Sequence, residues 1–324
     1  MRQLFALAVV IGFGCLSPQA ASAQAYPTRP ITMIVPFAAG GATDVIARIV
    51  SEAMSRELGQ PIVVENVAGA GGTTGSLRAK NAAADGYTLL TGHMGTHASS
   101  YGLYNTPRYD PRSDFEPIGL VASAPIVLFT RSNLPEKSLD SFVRYAKAQP
   151  TTVGHSGVGS NAHLTCALFN SMTGLKPVEV PYRGNAPLMA DITAGNIDYS
   201  CDQIITLASQ IASGHVTGIA ITGNSRSPLV PEVPTFAEAG LPNFDADAWT
   251  ALFMPRGVPA DIVSRVQGAY VSVLKSRPVI ERLSGLGAVV PTGEGLGREH
   301  LRALVARDLE RWAKVVQDAN IPRQ

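Results

Sequence analysis

Along this chain short apolar runs alternate with longer stretches in which apolar residues recur every three or four positions. Residues 31–35 read as a buried strand. From 44 to 58, Val45, Ile46, Ile49, Val50, Ala53, Met54 and Leu58 fall on one helical face, and Gly59 stops the helix as a C′ glycine does. A strand follows at 62–64, then Gly69-Ala70-Gly71-Gly72 and a helix through 80, then a strand at 87–90 leading into a glycine-rich segment, 92–97. The apolar run 118–129 is long enough to pass from one domain to another. The same rhythm then repeats: a helix at 139–148, a strand near 153, a helix from Ser160 to a stop at Gly174, and strands at 178–182, 197–201 and 216–222. A helix follows 183–187. A proline-rich stretch, 228–242, precedes two long amphipathic helices at 260–276 and 299–318. Strands alternating with helices predict an α/β protein with mainly parallel sheets and flanking helices. The two cycles divide the chain into domain I (26–123 plus 223–324) and domain II (124–222), with crossings near 122–124 and 222–224.

Each cycle contains a strand, a glycine-rich turn and a helix start. The first turn is Pro36-Phe37-Ala38-Ala39-Gly40-Gly41-Ala42-Thr43-Asp44; the second is His155-Ser156-Gly157-Val158-Gly159-Ser160. Backbone N–H groups at a helix N-terminus are a ready anion site. Two such turns on two domains therefore predict a pincer for one carboxylate, with donors around Phe37, Ala38, Ala39, Gly40 and Gly41 and around Gly157, Gly159, Ser160 and Asn161. Asp44 reads more readily as a first-turn carboxylate facing the helix dipole than as a base. His163 reads as an early helix residue that bonds locally or touches the ligand. Thr96, His97, Tyr182, Arg183, Asp202 and Trp249 are candidates for the far end of the cleft, where ligand choice is made. Arg183 would favour a second carboxylate, and Asp202 would hold an ammonium group.

Composition narrows the choice of partner. Charged residues are 16% of 324, with a formal net charge of +1. No basic patch recommends a nucleic acid partner. Residues 1–23 carry a signal-peptide pattern: Arg2, an apolar stretch at 4–16, and Ala21-Ser22-Ala23 before Gln24. Gly12 and Phe13 fit a lipobox around Cys15 poorly. Export to the periplasm would leave Cys166 and Cys201 in an oxidising compartment. They are then expected to pair, the alternative being two buried free thiols.

Enzymatic patterns are incomplete. Gly154-His155-Ser156-Gly157-Val158 lacks the closing glycine of a nucleophile elbow. Gly69-Ala70-Gly71-Gly72-Thr73-Thr74 has threonine where a dinucleotide loop needs its third glycine. His93 and His97 are four apart, but in a glycine-rich loop without an adjacent glutamate. No cofactor or metal is called for. The alternatives kept are an α/β enzyme acting on a small carboxylate and a carboxylate-sensing periplasmic protein.

These segments resemble the Bug family, also called TctC: periplasmic substrate-binding proteins of tripartite tricarboxylate transporters. The matching residues include Val35-Pro36-Phe37, Gly40-Gly41 and Asp44; Gly69-Ala70-Gly71-Gly72; Asp85-Gly86-Tyr87-Thr88-Leu89-Leu90; Gly157, Gly159-Ser160 and His163-Leu164; and Val180-Pro181-Tyr182-Arg183-Gly184. Ala39 departs from the family's frequent proline. The resemblance implies a two-domain periplasmic-binding-protein clamshell of type II-like form. It also implies a monomer that holds one ligand carboxylate between the two loops, partly through water, with a large and a small membrane subunit as partners.

Overall fold

The computed structural model describes residues 26–244, 246, 248–318, 321 and 323. The signal-peptide pattern at 1–23 and Cys15 lie outside them. In chain order the elements are β1 (Ile31–Val35), α1 (Ala42–Leu58), β2 (Ile62–Asn66), α2 (Thr73–Lys80), β3 (Thr88–His93), α3 (Ser100–Leu103), β4 (Phe115–Ala124) and β5 (Ile126–Arg131). Then come α4 (Leu139–Ala148), β6 (Thr152–His155), α5 (Asn161–Thr173), β7 (Val178–Pro181), α6 (Asn185–Ala194), β8 (Tyr199–Gln203), α7 (Ile204–Ala212) and β9 (Val216–Ile221). The chain closes with β10 (Ala248–Pro255), α8 (Ala260–Lys275), α9 (Arg277–Ser284) and α10 (Arg298–Asp318). None of the described helices is long and apolar enough to cross a membrane.

The strands form two mixed sheets of matching design. One has the order β2-β1-β3-β10-β4, the other β7-β6-β8-β5-β9. In each, the fourth strand runs antiparallel to both neighbours, and β1 with β2 and β6 with β7 are parallel pairs. The apolar run 118–129 is therefore two strands in different sheets, and the chain crosses between lobes through Pro125 alone. The crossing expected near 222–224 is not made there: Thr222 stays beside β5, with Ile126 N–H donating to its hydroxyl at 2.8 Å and its own N–H donating to the Ile126 carbonyl at 2.9 Å.

Two features differ from the pattern-based reading. β10 is buried throughout and was marked in the sequence only by Trp249. After β9 the chain also stays on the second lobe. Val230 and Val233 pack with Val127, Phe129 and Leu188. Phe236 and Phe244 sit 4.0 Å apart, with Phe169 of α5 beside both. The proline-rich stretch thus covers the second lobe before β10 returns to the first sheet.

The helices follow their apolar faces. α1 buries Ile46, Ile49, Val50, Ala53 and Met54, and ends on Gly59 at φ +74°, whose N–H donates to the Ser55 carbonyl. It begins at Ala42, two residues before the expected start. Cys166 of α5 and Cys201 of β8 form a disulfide with a Cα–Cα distance of 5.7 Å.

Candidate functional site

The carboxyl ends of β1, β6 and β8 face one another across the lobes, and α1, α5, α6 and α7 begin there. Ligands of parallel sheets bind at such ends. A small inner cavity of about 40 Å³ is lined by Gly41, Ala42 and Thr43 of α1's start, Ser160, Asn161 and Ala162 of α5's start, and His93, Asn185, Asp202 and Gln203. That is room for about three waters or one carboxylate group. It adjoins an outer cleft of about 380 Å³ walled by Ala68–Gly72 on one lobe and by Gly157, Tyr182 and Arg183 on the other. Phe37, Ala38, Ser156 and Gly184 line both spaces and form the boundary between them.

The lobes touch around this cleft. Gly71, at φ +60°, leaves no room for a side chain: a Cβ there would run into the Val158 carbonyl of the opposite lobe. At Gly184, φ +113°, a Cβ would lie 2.8 Å from that of Ala38. Gly95 N–H donates across the lobes to Asn161 Oδ1 at 3.3 Å. Bare backbone is what lets the two walls meet.

Three of the backbone amides expected as donors are taken within their own loops. Gly40 N–H is taken by Asp44 Oδ2 at 2.9 Å, and Gly159 N–H by His163 Nδ1 at 3.2 Å. Ser160 N–H donates to the Gly157 carbonyl. The first-turn amides of Ala42 and Thr43 and of Asn161 and Ala162 have no acceptor among the described residues, and all four residues line the inner cavity. α1 has no side-chain cap at Gly41. In α5 the Ser160 hydroxyl accepts from His163 N–H, which leaves its own proton to donate into the cavity.

Several expected cleft residues stand behind the walls. Asp44 is buried. Its carboxylate accepts from Gly40, from Arg48 Nε at 3.0 Å and from Asn66 Nδ2 at 2.8 Å. Burial pushes its pKa up, but those bonds win and hold the carboxyl below its ordinary value. Asp44 thus braces the first loop instead of facing a ligand. His163 likewise braces the second. Ala39 and Gly40 are exposed and outside both linings.

Thr96 and His97, expected at the far end, are interior. They belong to a π-helical turn, Gly95–Ser99, not to an open loop. Thr96 Oγ1 bonds the His93 backbone and lies 2.9 Å from His97 Nδ1. The His97 ring stacks on Phe253 at 3.9 Å, and burial drops its pKa to about 3. Trp249 is core, its Nε1 donating to the buried Asp308 at 2.7 Å. Of the histidine pair it is His93, the last residue of β3, that reaches the cavity. Its ring stacks on Phe37 at 4.5 Å. Its Nδ1 accepts Gly95 N–H at 2.7 Å. Burial lowers its pKa to about 3, so the ring is neutral and its proton sits on Nε2.

Tyr182 and Arg183 do line the outer cleft. The Tyr182 hydroxyl donates to Asp191 at 2.6 Å, so its ring rather than its oxygen is offered. Arg183 is exposed and has no ion pair among the described residues. Asp202 lies in the inner cavity, where burial pushes its carboxyl up to about 6. Bonds from Gln203 N–H at 2.8 Å and the Thr206 hydroxyl at 3.2 Å oppose the rise. Asn185 Oδ1 is buried there without a partner. Sequence reasoning missed Gln203, Ser156 and the Ala68–Gly72 wall, and reached Asn185 only as the end of a strand-to-helix junction, 182–185. The one available signal for that wall was a glycine cluster after a strand, weighed only as an incomplete dinucleotide loop.

Two α/β lobes of like topology, joined by two crossings and closing on a polar cavity, define a solute-binding clamshell of the periplasmic type. The chain belongs to the tripartite tricarboxylate transporter family receptors (TctC), whose sequence profile matches residues 46–321. It is similar to protein BugT of Bordetella pertussis, 36% identical over 302 residues that cover 92% of this chain and 91% of BugT. Among solved structures it is similar to MatC from Rhodopseudomonas palustris with bound malate: 40% identity, TM-score 0.87, covering 90% of this chain and all of that one. An R. palustris protein solved with adipate is 33% identical with a TM-score of 0.87, over 92% of this chain and 99% of that one.

Proposed function

We propose that this chain is exported by residues 1–23 to the periplasm. There it captures a small organic acid between its lobes and delivers it to the large and small membrane subunits of a tripartite tricarboxylate transporter. One observation carries the reading: the free first-turn amides of α1 and α5 meet at one cavity between the lobes, one helix from each lobe. A carboxylate there accepts charge-assisted bonds from both lobes, each worth about 1.5–3 kcal/mol. Ser160 Oγ and His93 Nε2 are further neutral donors. MatC with malate and the adipate-bound protein support a carboxylate as the ligand class.

The free amides bind any carboxylate, so selection falls to Asp202, Asn185, Tyr182 and Arg183. Asp202 and Asn185 Oδ1 are acceptors, which recommends a ligand with a hydroxyl or ammonium group beside its carboxylate. Arg183 at the mouth recommends a second carboxylate. An enzyme is disfavoured by the placement of hydroxyls and imidazoles. Among the described residues the hydroxyl–imidazole pair, Thr96 with His97, is sealed in the core.

Calorimetry over aliphatic mono- and diacids, hydroxy acids, amino acids and terephthalate-like aromatic acids tests this. The expected result is a single saturable site for at least one carboxylate and no turnover of it. Failure of every carboxylate to bind would overturn the reading.

A further inference from the structure

Beside the second loop the fold gathers a group of side chains that the cleft does not use. His155 ends β6, and Glu179 of β7 pairs with Val153, two residues earlier on β6. Side chains alternate along a strand, so His155 and Glu179 project from one face of the sheet. α5 brings His163 to the same place. The two imidazole rings lie 4.6 Å apart, His163 Nε2 stands 3.7 Å from Glu179 Oε2, and one donor atom from each of the three residues falls within 4.8 Å of the others. Both histidines are buried, and His155 Nδ1 has no hydrogen-bond partner. That orphaned nitrogen is an independent sign that the cluster is built for something the chain itself does not supply.

We propose that His155, His163 and Glu179 ligate a divalent transition-metal ion of the zinc(II) class. Two imidazoles and one carboxylate suit zinc or its copper and nickel neighbours better than magnesium or calcium, which take oxygen. Three protein ligands leave a fourth tetrahedral position for water. Bonds of roughly 2.0–2.2 Å require the donor atoms to draw in to roughly 3.4 Å from one another. Glu179, whose side chain is 46% exposed, has room to supply part of that movement. Protonation states agree with the geometry. Burial lowers the His155 pKa to about 4, so the ring is neutral at ordinary pH, and the His163 imidazole beside Glu179 holds its carboxyl below its ordinary value.

Occupancy has a consequence for the neighbouring loop. His163 Nδ1 accepts Gly159 N–H, so its proton is on Nε2, the nitrogen that faces Glu179. A metal on Nε2 displaces that proton to Nδ1, with no net proton exchanged at the ring. There it opposes the Gly159 amide and breaks the bond that ties the 157–160 loop to α5.

The test is calorimetric titration of zinc chloride into the mature, chelator-stripped protein near neutral pH, alongside Glu179→Gln and His155→Phe. The wild type is expected to bind one equivalent, weakened about tenfold or more by Glu179→Gln and abolished by His155→Phe. The Gly159 amide resonance of the wild type should shift on zinc addition. If His155→Phe does not fold, as judged by circular dichroism, the surface variant Glu179→Gln decides. No zinc uptake by the wild type, or equal uptake by both variants, would overturn the proposal.

Discussion

Asp202 is the side chain whose charge state matters most to the cleft. Its folded pKa, about 6, lies above the ordinary 3.8, chiefly because burial disfavours the carboxylate. The native state therefore carries a penalty that is full above about 6 and fades as pH falls through 6 toward 4. Asp202→Asn is expected to stabilise the unliganded protein by about 1–2 kcal/mol at neutral pH and by little near pH 4, measured by denaturant unfolding at both. The same titration sorts ligands. An acid that places a second carboxylate near Asp202 should bind more tightly as pH drops below 6. One that places a hydroxyl or ammonium group there should bind more weakly. Calorimetry on either side of pH 6 reads the sign, and an unchanged affinity for both kinds of ligand would remove Asp202 from the contact.

α1 and α5 were legible as helices from their apolar periodicity and their glycine stops at Gly59 and Gly174. Their meeting at one cavity was foreshadowed by the repeated turn. The particular donors were not legible, because Asp44 and His163 fold back four residues and consume the Gly40 and Gly159 amides. That choice depends on side-chain directions that spacing does not specify. β10 escaped for another reason: an eight-residue stretch that is apolar except for Thr250 has no period that separates strand from helix. Its partners β3 and β4 lie more than a hundred residues earlier. Ala42→Pro tests the helix-terminus donors directly. Ala42 is the first residue of α1, where proline is tolerated, and Gly41 already has the extended φ/ψ of −76° and 165° that proline demands of its predecessor. Carboxylate affinity should fall about tenfold to a hundredfold while the unfolding temperature stays close to wild type.

The lobes meet through backbone at Gly71 and Gly184, so small additions there should act on domain closure. Gly71→Val is expected to hold the walls apart. In small-angle scattering the wild type should become or remain compact with a bound acid, whereas the variant should keep a larger radius of gyration at saturation. The Cys166–Cys201 link acts within one lobe, closing a loop with a separation of 35. Cys166→Ala with Cys201→Ala should cost about 2–4 kcal/mol in denaturant unfolding, with scattering of the folded protein unchanged.

β10 sits between β3 and β4 and reaches them only after the whole second lobe has been laid down in the chain. A polypeptide emerging N-terminus first must therefore hold β3 and β4 with open edges, which invite pairing with other chains, until residues 248–255 arrive. The second sheet draws on one continuous stretch, from β5 to β9, and is complete before β10 is reached. Its two cysteines lie inside that stretch and can be oxidised while the first lobe is still waiting for its fourth strand. The first lobe to be made is thus the last to be finished, and a chain stopped short of β10 loses the lobe at its beginning.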